Sequence, residues 1–361
     1  MPVDHQGAGR ASTVRAGSPV LIIGTERSGS NLLRLILNRH PDIAIPHPPH
    51  FMRYLAPLAG SYGDLSLERN RRALVCDANL LLRRHIHSWP EPVRVADVLA
   101  DAAPSVFGVV AAFYERYRRA AGKSRWGCKS TFMVGYVEDV LDLYPDARFL
   151  WLVRDPRDVA VSARQSVFGP FHPYLTGRLW AGQQQMGRAA LERWGTETVR
   201  LVRYEELVAR PETVLRSVCA FLGIAWEPHM LRHQESAEAR LTASLSQSWA
   251  GTDAAINADS VGRHRTELSA RDRRLVESAA GEAMLRLGYV PAAPGPPVAV
   301  PSRLRIRIED LAQHLRVEAR SLLHDRNGAR RLRRDATVRW LRVKAVARTV
   351  ISRVRKDEHA R

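Results

Sequence analysis

Cysteine is nearly missing from this chain of 361 residues: only Cys76, Cys128 and Cys219 occur, far apart and without CxxC spacing. An odd, scattered set supports neither a disulfide framework nor a zinc cluster, and it points to a reducing cytoplasm. Long apolar runs are missing too. Nothing approaches the roughly 18 residues of a membrane span, and residues 1–17 lack the apolar stretch of a secretory leader, so neither is expected. Lysine is scarce, with Lys123, Lys129, Lys344 and Lys356 alone among 55 basic residues. Aromatics make up 7% against 45% hydrophobic residues overall, which excludes a disordered chain and fits an ordinary globular one.

What is present in excess is positive charge, +18 in total. Residues 303–361 hold 18 Arg plus Lys against seven Asp plus Glu, so this tail carries +11 and the remainder +7. Such a balance suits nucleic acid, an anionic membrane or an anionic small molecule. In the tail only Trp340 interrupts the arginines as an aromatic, which argues against nucleic acid bound by stacking. An anionic membrane surface and plain packing against the domain both remain readings of the tail.

Residues 18–23 form a short apolar run ending in polar turn residues and then Leu32, Leu33, Leu35, Ile36 and Leu37, which reads as strand, loop, helix. Residues 148–153 and 199–204 read as further strands, each followed by a helix; Pro211 opens one helix and Gly223 closes it. This alternation predicts an α/β fold with a parallel sheet flanked by helices. A helical stretch is expected over Asp97 to Ala121, and helices over 304–323 and 336–356. The proline-dense segment 291–302 reads as a linker. The expected organisation is a disordered segment 1–17, a domain 18–290, the linker, and a basic helical tail 303–361.

The segment Gly24-Thr25-Glu26-Arg27-Ser28-Gly29-Ser30-Asn31 stands at the first strand-to-helix junction, where backbone N–H groups converge on an anion. It keeps the GxxxxG of a P-loop but has Ser30 where a Walker A loop has Lys, and its cation, Arg27, lies inside the loop. That weakens the case for a magnesium nucleotide and leaves a site for another phosphorylated ligand.

Read with Leu32-Leu33 and His40-Pro41-Asp42, this loop resembles the 5′-phosphosulfate loop of sulfotransferases that use PAPS (3′-phosphoadenosine 5′-phosphosulfate), in the bacterial, tyrosylprotein and carbohydrate branches. Arg154 and Ser162 match that family's second signature, an Arg and then a Ser eight residues later, which implies a grip on the 3′-phosphate. Tyr204 in Arg203-Tyr204-Glu205-Glu206-Leu207 and Arg263 in Asp259–Arg265 match looser motifs near the nucleotide. The resemblance spans 18–290 and implies PAPS as co-substrate, no metal, and Arg27, Ser28, Gly29, Ser30 and Asn31 at the phosphosulfate.

Sulfonyl transfer is an in-line displacement, so positioning and cationic stabilisation should carry it. Arg27 and Lys129, the latter in a Lys-Ser-Thr segment, are the expected cations. Related carbohydrate enzymes carry a Glu-Pro-His-Phe-like sequence with Glu as base; here Pro48 falls at the Glu, leaving His47 and His50 in Pro46–Phe51 as replacements, with a substrate-assisted route also open. The implied acceptor is a hydroxyl or amine of a carbohydrate, glycolipid or other small molecule. A P-loop kinase and a non-catalytic nucleotide or polyanion binder are the alternatives.

Overall fold

Val20–Gly24 is a β-branched and leucine-type run buried on both faces, the pattern of a central parallel strand. In the computed structural model it is β1 of five parallel strands: β2 Ile43–Ala44, β3 Arg125–Lys129, β4 Arg148–Val153 and β5 Val199–Arg203, in the order β2-β3-β1-β4-β5. The structure describes residues 17–87, 89, 92–291 and 298–359, the last eight as backbone only. The expected N-terminal segment up to residue 16 and the middle of the proline-rich linker, 292–297, lie outside these residues.

The helices in chain order are α1 Ser30–Asn38, α2 Phe51–Leu55, α3 Glu68–Arg83, α4 Val95–Asp101, α5 Val106–Ala120, α6 Val137–Leu143, α7 Pro156–Arg164 and α8 Pro173–Trp194. They continue as α9 Tyr204–Ala209, α10 Pro211–Leu222, α11 Ala237–Leu245, α12 His264–Glu267, α13 Ala270–Arg286, α14 Arg303–His324 and α15 Gly328–His359. Alternate strand residues serve opposite layers, as a period of two requires. Leu21, Ile23, Phe149 and Trp151 pack with α5 and α8, whereas Val20, Ile22, Leu150 and Leu152 pack with α1 and α10. Each such buried side chain contributes about 1.5–3 kcal/mol.

The helix expected over Asp97 to Ala121 is two helices, because Pro104 cannot sit inside one; the chain restarts at Ser105, whose side chain accepts from the Gly108 N–H. The second tail helix begins at Gly328, eight residues before the expected start.

Both tail helices fold back on the sheet domain. Asp310 accepts from the backbone N–H groups of Phe171 and His172 at 2.7 and 2.8 Å, and Asp325 accepts from Ser246 and Gln247 at 2.8 and 2.9 Å. Val338 and Leu341 join the main core cluster. Facing outward, Leu304, Ile308, Leu311 and Leu315 leave an apolar stripe at helical spacing.

β1 lies between β3 and β4, so the connections leave it in opposite directions and open a crevice at the strands' carboxyl ends. Gly24 ends β1 and Lys129 ends β3, while Arg154 and Tyr204 directly follow β4 and β5.

Candidate active site

The loop after β1 is shaped by two glycines. A Cβ on Gly24, at φ 135°, would stand 2.2 Å from the Leu152 carbonyl oxygen, and one on Gly29, at φ 86°, would stand 2.3 Å from Cδ2 of Tyr204. Only glycine lets the strands and the Tyr204 ring approach so closely. Arg27 adopts φ 68°, left-handed for a residue with a side chain, a strain of the kind stored at ligand-binding loops.

Gly29 caps α1 without a side chain, so the first-turn N–H groups stay uncovered. Ser28 Oγ and Asn31 Nδ2 are buried with no partner. The fully buried Arg34 holds Asn31 in place by donating to its Oδ1 at 3.2 Å, while its other nitrogens reach Glu238 and Thr242. Unpartnered buried donors around an open helix start fit a phosphate-type anion.

Arg154 donates to the Arg27 carbonyl at 2.9 Å and the Ser260 carbonyl at 2.5 Å, lies 4.5 Å from the Tyr204 ring centroid, and has a buried, unpartnered Nε. The family spacing pairs it with Ser162, but the hydrogen bond to Ser162 Oγ comes from Arg27 Nε at 3.0 Å; Arg27 Nη2 donates to the Ser248 carbonyl at 2.9 Å. Burial and the like charge of Arg154 push the Arg27 guanidinium down to about 10. An anion between them would offset both effects. From below, Trp180 donates to the Arg154 carbonyl and Gln184 to Thr25 Oγ1, both at 2.9 Å, so α8 braces both arms of the crevice.

Lys129 is 8% exposed, and its ammonium donates to no described residue. Burial pushes it down to about 8, with Arg34 and Arg27 adding to the shift and Glu26 opposing it. This too is a cation short of a counter-ion.

The two candidate histidines differ. His47 Nδ1 shares a hydrogen bond with His85 Nε2 at 3.0 Å, its ring stacks on His87 and meets Trp249 edge-on, and its Nε2 is buried without a partner. His50, at φ 55°, shares a hydrogen bond through Nδ1 with Ser130 Oγ at 3.0 Å and lines the cavity. Burial, then neighbouring charge, holds both well below the usual imidazole range: His85 and Arg34 act on His47, Lys129 and Arg53 on His50. Both are therefore neutral near pH 7.

One cavity of about 530 Å³ is lined by all the expected residues except Ser28, which is fully buried. Arg263 stands at its rim, tied to Glu267 and Gln165. The segment carrying it is held down by Asp158, which accepts from the N–H groups of Gly262 and His264 at 2.7 and 2.9 Å. The sequence reading missed Glu26, His85, Trp249 and, from the tail, Arg334, all of which line the same cavity. Glu26 was visible within the loop motif; the other three lack any local pattern, because the fold alone brings them here. Among the described residues, no group of three His, Cys, Asp or Glu side chains could hold a metal ion.

A parallel sheet whose first strand ends in a glycine loop, with Lys129 and Arg154 reaching the same cavity from the neighbouring strand ends, defines a P-loop-type α/β protein. The chain belongs to the sulfotransferase family: the model of that family matches residues 19–228, more than half of its length. It is 27% identical over 289 residues to the nodulation protein NoeE of Sinorhizobium fredii, covering 74% of this chain and 65% of that protein. Over 226 residues it is 25% identical to protein-tyrosine sulfotransferase A of Caenorhabditis elegans, covering 60% of this chain and 53% of that one. The chain thus spans less than two thirds of either relative. Among solved structures it shares the fold of the sulfotransferase domain from the curacin biosynthetic pathway, with a TM-score of 0.53 at 19% identity, over 77% of this chain and all of that one.

Proposed function

We propose that the protein transfers a sulfonyl group from PAPS to a hydroxyl or amine of a carbohydrate, glycolipid or other small molecule. The observation that carries this reading is a single cavity in which the loop N–H groups, Arg27, Arg154 and Lys129 converge, the cations buried and short of counter-ions. The loop and Arg27 bind the phosphosulfate, Arg154 and Ser162 the 3′-phosphate, and Tyr204 borders the nucleotide. Lys129 offsets the charge that grows on the leaving phosphate oxygen as the S–O bond to the donor breaks and the bond to the acceptor oxygen or nitrogen forms. His50, neutral and lining the cavity, takes the acceptor's proton; His47, closed off by its neighbours, orients the wall behind it.

Calorimetric titration with 3′-phosphoadenosine 5′-phosphate (PAP), the desulfonated donor, beside ATP with magnesium tests the donor assignment. Preference for PAP is expected; preference for ATP would replace this reading with a kinase. We further place the protein in the cytoplasm with the outward stripe of α14, flanked by arginines, against an anionic lipid surface.

A further inference from the structure

The cavity lining has two parts of different character. Arg27, Arg154, Ser162 and Tyr204 accompany the glycine loop. His47, His85, Ile86, Phe168 and Trp249 form a largely uncharged wall, with the Trp249 ring 5.0 Å from His47 and 5.6 Å from Phe168. A base must stand beside the group it deprotonates, so the surroundings of His50 are the acceptor's surroundings.

To the same cavity α15 brings Arg334, an arginine only 8% exposed. Its Nε and Nη2 both donate to Oδ1 of the adjacent Asp335, at 2.9 and 2.7 Å, while Nη1 donates to no described residue. Burial opposes its charge, which Tyr54, Asp335 and Glu26 support and which is felt at His50 and His85. Asp335, 41% exposed, covers one edge of the guanidinium from the same helix. A buried guanidinium with one edge open to a cavity is stabilised by a planar anion that takes two hydrogen bonds. The donor's anionic groups already have Arg27, Arg154, Lys129 and the loop.

We propose that Arg334 is an acceptor-binding residue and that the acceptor carries a carboxylate or comparable anionic group alongside the hydroxyl or amine that is sulfonated. The apolar wall of Ile86, Phe168 and Trp249 receives the acceptor's body, and Arg334 fixes its charged end so that the nucleophile meets His50. The tail is then part of the active site. This rests on reading the glycine-loop part as the donor site.

The test uses the full chain loaded with PAP and two matched probe pairs, 4-hydroxyphenylacetate with its amide and glucuronate with glucose, measured by calorimetry. In the unaltered protein the acid of at least one pair should bind about tenfold tighter than its neutral partner, or more. Arg334→Gln should erase that difference and leave PAP affinity unchanged, while Arg334→Lys should keep part of it. Thermal melting identifies any variant that fails to fold, and Arg334→Lys then carries the comparison. Equal binding of acid and neutral probes, binding of neither, or a preference that survives Arg334→Gln overturns the inference. So does weakened PAP binding in a folded Arg334→Gln, which would assign the residue to the donor. Failure of the unaltered protein to bind PAP would instead overturn the donor reading.

Discussion

At the residue scale the cavity is a collection of cations held without enough counter-charge, and the proposed function gives each a different part of the donor. Arg154→Ala should abolish most of the preference for PAP over 5′-AMP in calorimetric titration; an unchanged ratio would remove Arg154 from the 3′-phosphate. Lys129, pushed down to about 8, is charged at pH 7 and loses its proton as pH rises further. PAP affinity should therefore fall above about pH 8, approaching tenfold per unit, and Lys129→Arg, charged throughout, should flatten the profile. His50→Gln should lower kcat by about 10²–10⁴ while sparing PAP binding. Because His50 is held well below 6.5, its protonation should cut the rate only in acid, on a limb that begins below pH 6.5. Arg27 and Arg154 were legible as cavity residues because an anion-binding loop and a strand-end arginine are local features, whereas Ser162 was legible only through the family resemblance. His85 and Arg334 were not, since their meaning comes from neighbours far away along the chain.

At the scale of elements, strands and their helices were legible from apolar runs and punctuation: Gly24, Pro211 and Gly223 stand where the structure turns, starts and stops. The break at Pro104 and the early start of α15 were harder to see, because propensity is a weak guide to where a helix begins and ends and tertiary packing decides it. What fixes α15 is tertiary. Asp77 on α3 has a side chain only 3% exposed and receives Lys344 at 2.7 Å, Arg348 at 2.9 Å and the Tyr62 hydroxyl at 2.9 Å. Removing the charge leaves two partly buried cations short of a partner. Asp77→Asn should therefore destabilise the protein by about 2 kcal/mol in denaturant unfolding and loosen α15 in hydrogen exchange. If α15 exchanges unchanged in that variant, the helix is anchored by Val338 and Leu341 instead.

At the scale of the whole molecule, one face of the tail packs on the sheet domain and brings Arg334 to the cavity, and the other faces away from it. The net charge of +11 over residues 303–361 was plain in the sequence, but its division between an inner, ion-paired face and an outer one was not. Inside, Arg331 and Arg334 are neutralised in part by Glu318 and Asp335. Outside, Leu304, Ile308, Leu311 and Leu315 are each more than half exposed, with Arg303, Arg307 and Arg316 also on the exposed part of the helix. Apolar residues framed by arginines gain both from entering a headgroup layer and from an anionic lipid's charge, and the second term weakens with salt. The protein should therefore sediment with vesicles of phosphatidylglycerol and phosphatidylcholine at low salt, much less with phosphatidylcholine alone, and progressively less as salt rises. Leu311→Glu with Leu315→Glu should remove that binding and leave PAP titration unchanged, since neither residue reaches the cavity. Sedimentation unaffected by the double change would detach the stripe from any lipid surface and leave the tail with its inward role alone.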